Sequence, residues 1–325
     1  MRPYAYTTID TVSAATTHNS PGSAFLAGGT TLVDLMKLEV LTPDRVVDIN
    51  GLPLTGITVD TNGLRIGALE RMTDVAEHPL VRRGFPLISQ ALELSASPQL
   101  RNMASMGGNL LQRTRCSYFR DIAMPCNKRS PGSGCPAIEG YNRSHAVLGT
   151  SNDCVATHAS DVAVALVAAE AAVELSSSDG ERRVPLERFY RQPGTTPEVE
   201  NELQPGELVT AITAPPLPPG TRSGYLKIRD RQSYEFALTA VAVAITLRGN
   251  VIDRARVAAG GVATVPWRLP EVESLLINRP VTAATFDAAA AAAATDARPL
   301  RHNNFKPHLL RRAIKRALTD LTGLQ

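Results

Sequence analysis

Four cysteines, Cys116, Cys126, Cys135 and Cys154, stand in the spacing C-x9-C-x8-C-x18-C and are all the cysteines of a 325-residue chain. Three chemistries suit such a set. Structural zinc sites usually carry C-x2-4-C knuckles, and none occurs here. Disulfides are allowed by the even count. A core of this size does not need them, and a chain without an export signal of its own gives little reason to expect them. An iron–sulfur cluster needs four thiolates converging from a flexible loop. The stretch "CSYFRDIAMPCNKRSPGSGC" (116–135) is rich in Gly, Pro, Arg and Lys and is such a loop. On spacing alone the three remain open.

The surrounding charge bears on the third option. Arg113, Arg115, Arg120, Lys128, Arg129 and Arg143 face only Asp121 and Glu139 between positions 113 and 143. Thiolates around an iron–sulfur core leave net negative charge. These cations, with the amides of Gly132 and Gly134, would offset it and tune its potential. His145 and His158 flank the loop, where a further ligand or a proton relay is conceivable. The remaining histidines are scattered without metal-ligand spacing.

Two glycine turns carry a second chemistry. "AGGTT" (27–31) lies between an expected strand and helix, and "SMGGN" (105–109) leads into the cysteine loop. Such turns let backbone approach a ligand closely and aim unpaired N–H groups at an anion. Thr30, Thr31, Ser105 and Asn109 add neutral donors. Two such loops could grip the two phosphates of a dinucleotide without a lysine, although either one alone reads first as an ordinary tight turn.

The elements that must position these loops follow from periodicity. Residues 24–51 read as strand, Gly turn, helix, loop and strand, with Leu32, Leu35, Met36 and Val40 near helical spacing. Asn62-Gly63 between alternating apolar residues marks a hairpin. Residues 71–95 are amphipathic, with a break near Gly84 and Pro86. After Asn109 the pattern dissolves for roughly 45 residues, a length that points to function or disorder. A helix capped by Ser160 or Asp161 follows, then a strand and a turn at "SSSDGE". Residues 191–220 are rich in Pro, Gly, Glu and Thr and hold one strand, Leu208–Ala214. They mark a domain boundary. Beyond them come strands, then an Ala-rich helix at 283–294 and a basic helix at 308–318, whose charges read as a solvated face or a subunit contact.

A net charge of +3 over this length argues against a dedicated nucleic-acid binder, which concentrates a basic face. The most apolar runs, 162–169 and 237–247, are short enough for core elements, so no membrane span is expected. The N-terminus lacks a long apolar segment. The expected location is cytoplasmic, or periplasmic as the passenger of a signal-bearing partner.

Together "FLAGGTTLVDLMK", "LRNMASMGGNLLQRTRC", "THASDVAVAL" and "YLKIRDRQSYEFAL" resemble the FAD-binding medium subunit of the xanthine dehydrogenase and molybdenum hydroxylase family, over nearly the whole chain. The cysteine insert resembles the branch that contains bacterial periplasmic aldehyde oxidoreductase. The resemblance implies an α+β fold. An FAD-binding domain at 1–215 would have two α+β subdomains of the vanillyl-alcohol-oxidase type (about 1–55 and 56–215), with the iron–sulfur insert at about 110–156. A sheet-and-helices domain of the CO dehydrogenase flavoprotein C-terminal type would span 220–325.

The resemblance further implies the ligands. Phe25, Leu26, Ala27, Gly28, Gly29, Thr30, Thr31 and Leu32 would form one pyrophosphate loop. Ser105, Gly107, Gly108 and Asn109 would form the second and reach toward the ring. Asp161 would bind the adenosine end and Lys227 would lie near the flavin, with Ser95 and Val209 as looser matches. Read without the resemblance, Asp161 is a helix N-terminal acid and Lys227 a surface lysine. The four cysteines would hold a [4Fe–4S] cluster. A large partner subunit with the molybdenum cofactor would oxidise an aldehyde. A small partner with [2Fe–2S] clusters would pass electrons to FAD here, and an external acceptor would collect them. No catalytic acid or base is expected on this chain. The rivals are a zinc- or disulfide-stapled scaffold subunit without a redox role, and a vanillyl-alcohol-oxidase-type flavoenzyme acting alone.

Overall fold

A computed structural model describes residues 1–18 and 20–324. Its first unit carries β1 (Ala5–Thr8), α1 (Val12–His18), β2 (Ser23–Leu26), α2 (Leu32–Lys37) and β3 (Arg45–Asp48). The strands are parallel in the order β1-β3-β2, so α1 and α2 are the crossovers that parallel pairing demands. The expected strand–turn–helix at 24–37 is present. It places "AGGTT" at the end of β2, directly ahead of α2.

The second unit begins with the hairpin β4 (Ile57–Asp60) and β5 (Gly63–Gly67), turning at the expected Asn62-Gly63. Helices α3 (Met72–Glu77), α4 (Pro79–Gly84), α5 (Pro86–Glu93), α6 (Pro98–Met103) and α7 (Met106–Leu110) follow. A proline opens α4, α5 and α6, so the periodic stretch is cut after His78 as well as at the expected Gly84-Pro86. Only α8 (Ser117–Arg120) interrupts the irregular insert. Then come α9 (Asp161–Ala168), β6 (Ala172–Ser177), β7 (Gly180–Pro185), α10 (Leu186–Phe189) and β8 (Leu208–Ala214). The sheet is antiparallel, in the order β4-β5-β8-β6-β7.

All residues of α9 are buried. An apolar helix with no solvent face belongs between layers. It packs on α5 and on the third unit's sheet, so its N-terminus lies where the units meet.

That third unit is β9 (Thr221–Ile228), β10 (Thr239–Arg248), β11 (Val251–Gly260), β12 (Trp267–Arg268), α11 (Pro270–Leu276), α12 (Ala283–Ala292) and α13 (Lys306–Thr322). The antiparallel order is β12-β11-β10-β9. In α13, Leu310, Ala313, Ile314, Ala317 and Leu318 face the core. Lys306 opens α13, ahead of the expected basic run at 308–318. It is fully buried, and its Nζ donates to the carbonyls of Ser144 (3.0 Å) and Gly261 (2.6 Å). This ties the insert to the third unit. Among the described residues no helix is long and apolar enough to cross a membrane.

Candidate functional site

A groove with two joined compartments runs between the units, and Thr30 borders both. The first is lined by Phe25, Ala27, Gly28, Gly29, Thr30, Thr31 and Leu32 from the first loop. Ser105, Gly107 and Gly108 come from the second loop, and Val209 from β8. Leu26 is the one first-loop residue outside this lining. Its carbonyl instead accepts from the amide of Ile49. The amides of Gly28, Gly29, Thr30 and Thr31 make no hydrogen bond among the described residues. They stand at the start of α2, where donors are orphaned and negative charge is favoured. Gly28 is required by proximity: a Cβ there would lie 1.9 Å from the Met103 carbonyl oxygen. Gly29 is required by its backbone, with φ +72.

The second loop differs from the expectation of free amides. Gly107 donates to Ala68 O (2.8 Å), Gly108 to Ser105 Oγ (3.2 Å) and Asn109 to Ser105 O (2.8 Å). Ser105 is the N-cap of α7, which uses its oxygen internally. This loop therefore shapes the groove with small residues, and the amides left without a partner are those of the first loop.

The second compartment holds Ser95, Asn109, Asp161 and Lys227, together with Gln112, Arg115 and Phe236. Asp161 opens α9, capped by Ser160, so the helix-start reading of its position is right but incomplete. Its Oδ1 accepts from the Tyr225 hydroxyl (2.7 Å), and its Oδ2 accepts from Lys227 Nζ (2.8 Å) and Ser95 Oγ (3.2 Å). Lys227 is no surface lysine: its side chain is 1% exposed, against 8% for Asp161. The pair is in direct contact, so the two cannot serve opposite ends of an extended dinucleotide, and the separate adenosine and flavin assignments do not both hold. Tyr225 escaped sequence reading. Its position two residues before Lys227 on β9 puts both on one face, and that was the available signal.

Beyond Arg115 lies the insert. All four cysteines are free thiols and line one small cavity beside α8. Backbone amides point at the sulfurs: Phe119 and Tyr118 at Cys116, Val155, Ala137 and Ile138 at Cys135, and Ala156 at Cys154. Burial pushes the Cys116 thiol up to about 12 and Cys154 to about 11, and raises Cys135. Without a compensating cation these thiols stay protonated, so any metal group that binds must displace their protons. Among the described residues no group of three or more His, Cys, Asp or Glu side chains is closed around a single-ion position. His145 Nε2 lies 3.1 Å from Cys116 Sγ, and burial lowers this imidazole to about 4. His158 packs edge-on against Tyr190 instead, with centroids 4.5 Å apart.

The insert's cations do less for the cysteines than their number suggests. Arg115 and Arg120 pair with Asp34 of α2, Arg113 and Lys128 with Glu200, and Arg143 with Asp230. Arg129 donates to the carbonyls of Tyr118, Phe119 and Met124. Gly134 N is taken by Asn127 Oδ1 at 2.7 Å. These groups chiefly anchor the loop to the first unit, to segment 191–205 and to the third unit.

A family model described as "FAD binding domain in molybdopterin dehydrogenase" matches residues 2–217, and one described as "CO dehydrogenase flavoprotein C-terminal domain" matches 224–321. The chain is 47% identical over 324 residues, 98% of each protein, to the aldehyde oxidoreductase FAD-binding subunit PaoB of Escherichia coli K12. It is 34% identical over 255 residues to the glyceraldehyde dehydrogenase medium chain of Sulfolobus acidocaldarius, covering 78% of this chain and 73% of that one. Among solved structures, a carbon monoxide dehydrogenase chain of Hydrogenophaga pseudoflava superposes with TM-score 0.77 at 25% identity, covering 99% of both. The glycine-lined groove, the sheet-and-helix unit closing it and these matches across both halves lead to one conclusion: this chain belongs to the FAD-binding medium subunits of the molybdenum hydroxylase family of oxidoreductases.

Proposed function

We propose that this chain is the FAD- and [4Fe–4S]-carrying electron-transfer subunit of a heterotrimeric, molybdenum-dependent aldehyde oxidoreductase. The observation that carries the reading is continuity. The groove built from the first glycine loop reaches Arg115, and the next residue, Cys116, is one of four cysteines around a single cavity. Four free thiols that share one cavity are the donor set an iron–sulfur core uses, and their spacing lacks the short knuckles of zinc sites. Backbone amides aimed at their sulfurs are the donors that such a core uses.

FAD exchanges two electrons with a donor and gives them up singly or together, and the chain's work is to bind, orient and tune it. The free amides of residues 28–31 hold the pyrophosphate, Gly28 lets the two loops close, and the Asp161–Lys227–Tyr225 group fixes the wall against which the cofactor lies. A small partner bearing [2Fe–2S] clusters supplies electrons, and a large partner bearing the molybdenum cofactor performs the aldehyde chemistry. An external acceptor removes the electrons. The assembly is either cytoplasmic or carried to the periplasm by a signal on a partner. No side chain of this chain acts on the aldehyde.

Cys126→Ser and Cys135→Ser, each in the assembled enzyme, test the relay. Turnover is expected to persist with a small dye that reaches the flavin and to fall at least tenfold with a protein acceptor. Equal losses with both acceptors would show that the cysteines serve assembly alone.

A further inference from the structure

We propose that Arg115, supplied by the cysteine-bearing insert, contacts the bound dinucleotide and compensates its negative charge. This rests on reading the groove as the FAD site. Arg115, Arg120, Lys227 and Arg231 bring four positive charges to the second compartment, against three negative ones on Asp34, Asp161 and Glu235. Lys227 is spent on Asp161 and Arg231 on Glu235. Arg115 and Arg120 share the single carboxylate of Asp34, with Arg115 Nη1 at 3.1 Å and Arg120 Nη1 at 2.7 Å from the same oxygen. Arg120 adds a second bond to the other oxygen at 3.0 Å. The forked pair is therefore Arg120's, and the surplus charge falls on Arg115.

Its geometry agrees. Asp34 holds one end of the guanidinium, and the Phe236 ring lies 5.4 Å beneath it. Nε is buried and has no hydrogen-bond partner among the described residues. The guanidinium also lines the compartment that holds Thr30 and Asn109 from the two glycine loops, so a ligand held by those loops lies beside the surplus charge. The chemistry is that of a phosphate oxygen or of the electron-rich edge of a reduced flavin ring. Both belong to the same ligand.

The test is Arg115→Gln in the full-length chain within its complex, with FAD titrated into the flavin-stripped protein and the flavin midpoint potential measured. A phosphate contact raises the FAD Kd roughly tenfold or more, as expected for a hydrogen bond from a charged group. A ring contact lowers the potential instead. A tenfold loss of preference for reduced over oxidised flavin reads as about 30 mV for a two-electron couple. Arg143→Gln, which removes an insert guanidinium outside this compartment, is expected to leave both unchanged. Kd and potential both equal to wild type in Arg115→Gln overturn the assignment. Failure of the wild-type chain to take up FAD at all would instead overturn the reading of the groove. If Arg115→Gln does not accumulate, phenylglyoxal labelling of the wild type decides. Arg115 is expected to be protected by FAD, and equal labelling with and without FAD overturns the proposal.

Discussion

Lys227→Met is expected to destabilise the protein by about 3–5 kcal/mol, the loss that follows when one member of a buried ion pair is removed. Methionine keeps most of the side-chain volume, so packing is not the main change. What remains is a carboxylate that is 8% exposed and, among the described residues, hydrogen-bonded only to the neutral hydroxyls of Tyr225 and Ser95. The Leu94 carbonyl also loses the Lys227 ammonium as a donor, although Arg229 still reaches it at 3.0 Å. The pair joins α9 of the second unit to β9 of the third. The loss should therefore appear in global unfolding by denaturant and also as reduced flavin content. Asp161→Asn combined with Lys227→Met is expected to recover part of the loss, because the uncompensated charge is gone. A single-variant cost below about 1 kcal/mol, the range of exposed pairs, would mean that the two charges are solvated.

Gly28→Ala is expected to cost about 1–3 kcal/mol, the usual range for overpacking, and to abolish FAD retention. The added methyl would lie 1.9 Å from the Met103 carbonyl oxygen and 2.7 Å from its carbon. Both are backbone atoms that cannot turn aside, so the two loops must separate. Gly29→Ala is the instructive comparison. Gly29 has the left-handed backbone, φ +72, yet its Cβ would meet only the Leu26 and Val33 side chains, at 3.2 Å. Those can move, so its cost is that of a strained φ, about 1–2 kcal/mol. Flavin-to-protein ratios measured by absorbance should rank wild type above Gly29→Ala and both above Gly28→Ala. Full flavin content in Gly28→Ala would show that the loops do not close on the cofactor.

These two sites also mark how far the sequence was readable. Local signals carried the elements. Asn62-Gly63 produced its hairpin, Ser160 its cap and Leu208–Ala214 its strand, because each depends on residues within a few positions. The glycine loops and the cysteine set were legible as chemistry for the same reason. Long-range pairings were not. Asp161 and Lys227 are 66 residues apart, and nothing local says that a strand lysine will bury itself against a helix start. The engaged amide of Gly107 depends on where Ala68 falls, and the insert's arginines on where Asp34 and Glu200 fall. Nothing local marks Lys306 as buried, because its acceptors are distant in sequence: Ser144 in the insert and Gly261 just after β11 of its own unit. Residue type revealed the available chemistry, and tertiary contact decided which donors remained free for a ligand.

Iron and acid-labile sulfide, measured with flavin in the purified assembly of wild type and of Cys126→Ser, test the account most directly. The expected result is about four fewer irons and about four fewer sulfides per assembly in the variant, at unchanged flavin. Equal iron and sulfide in the two proteins, or zinc in the wild type that the variant lacks, would contradict it.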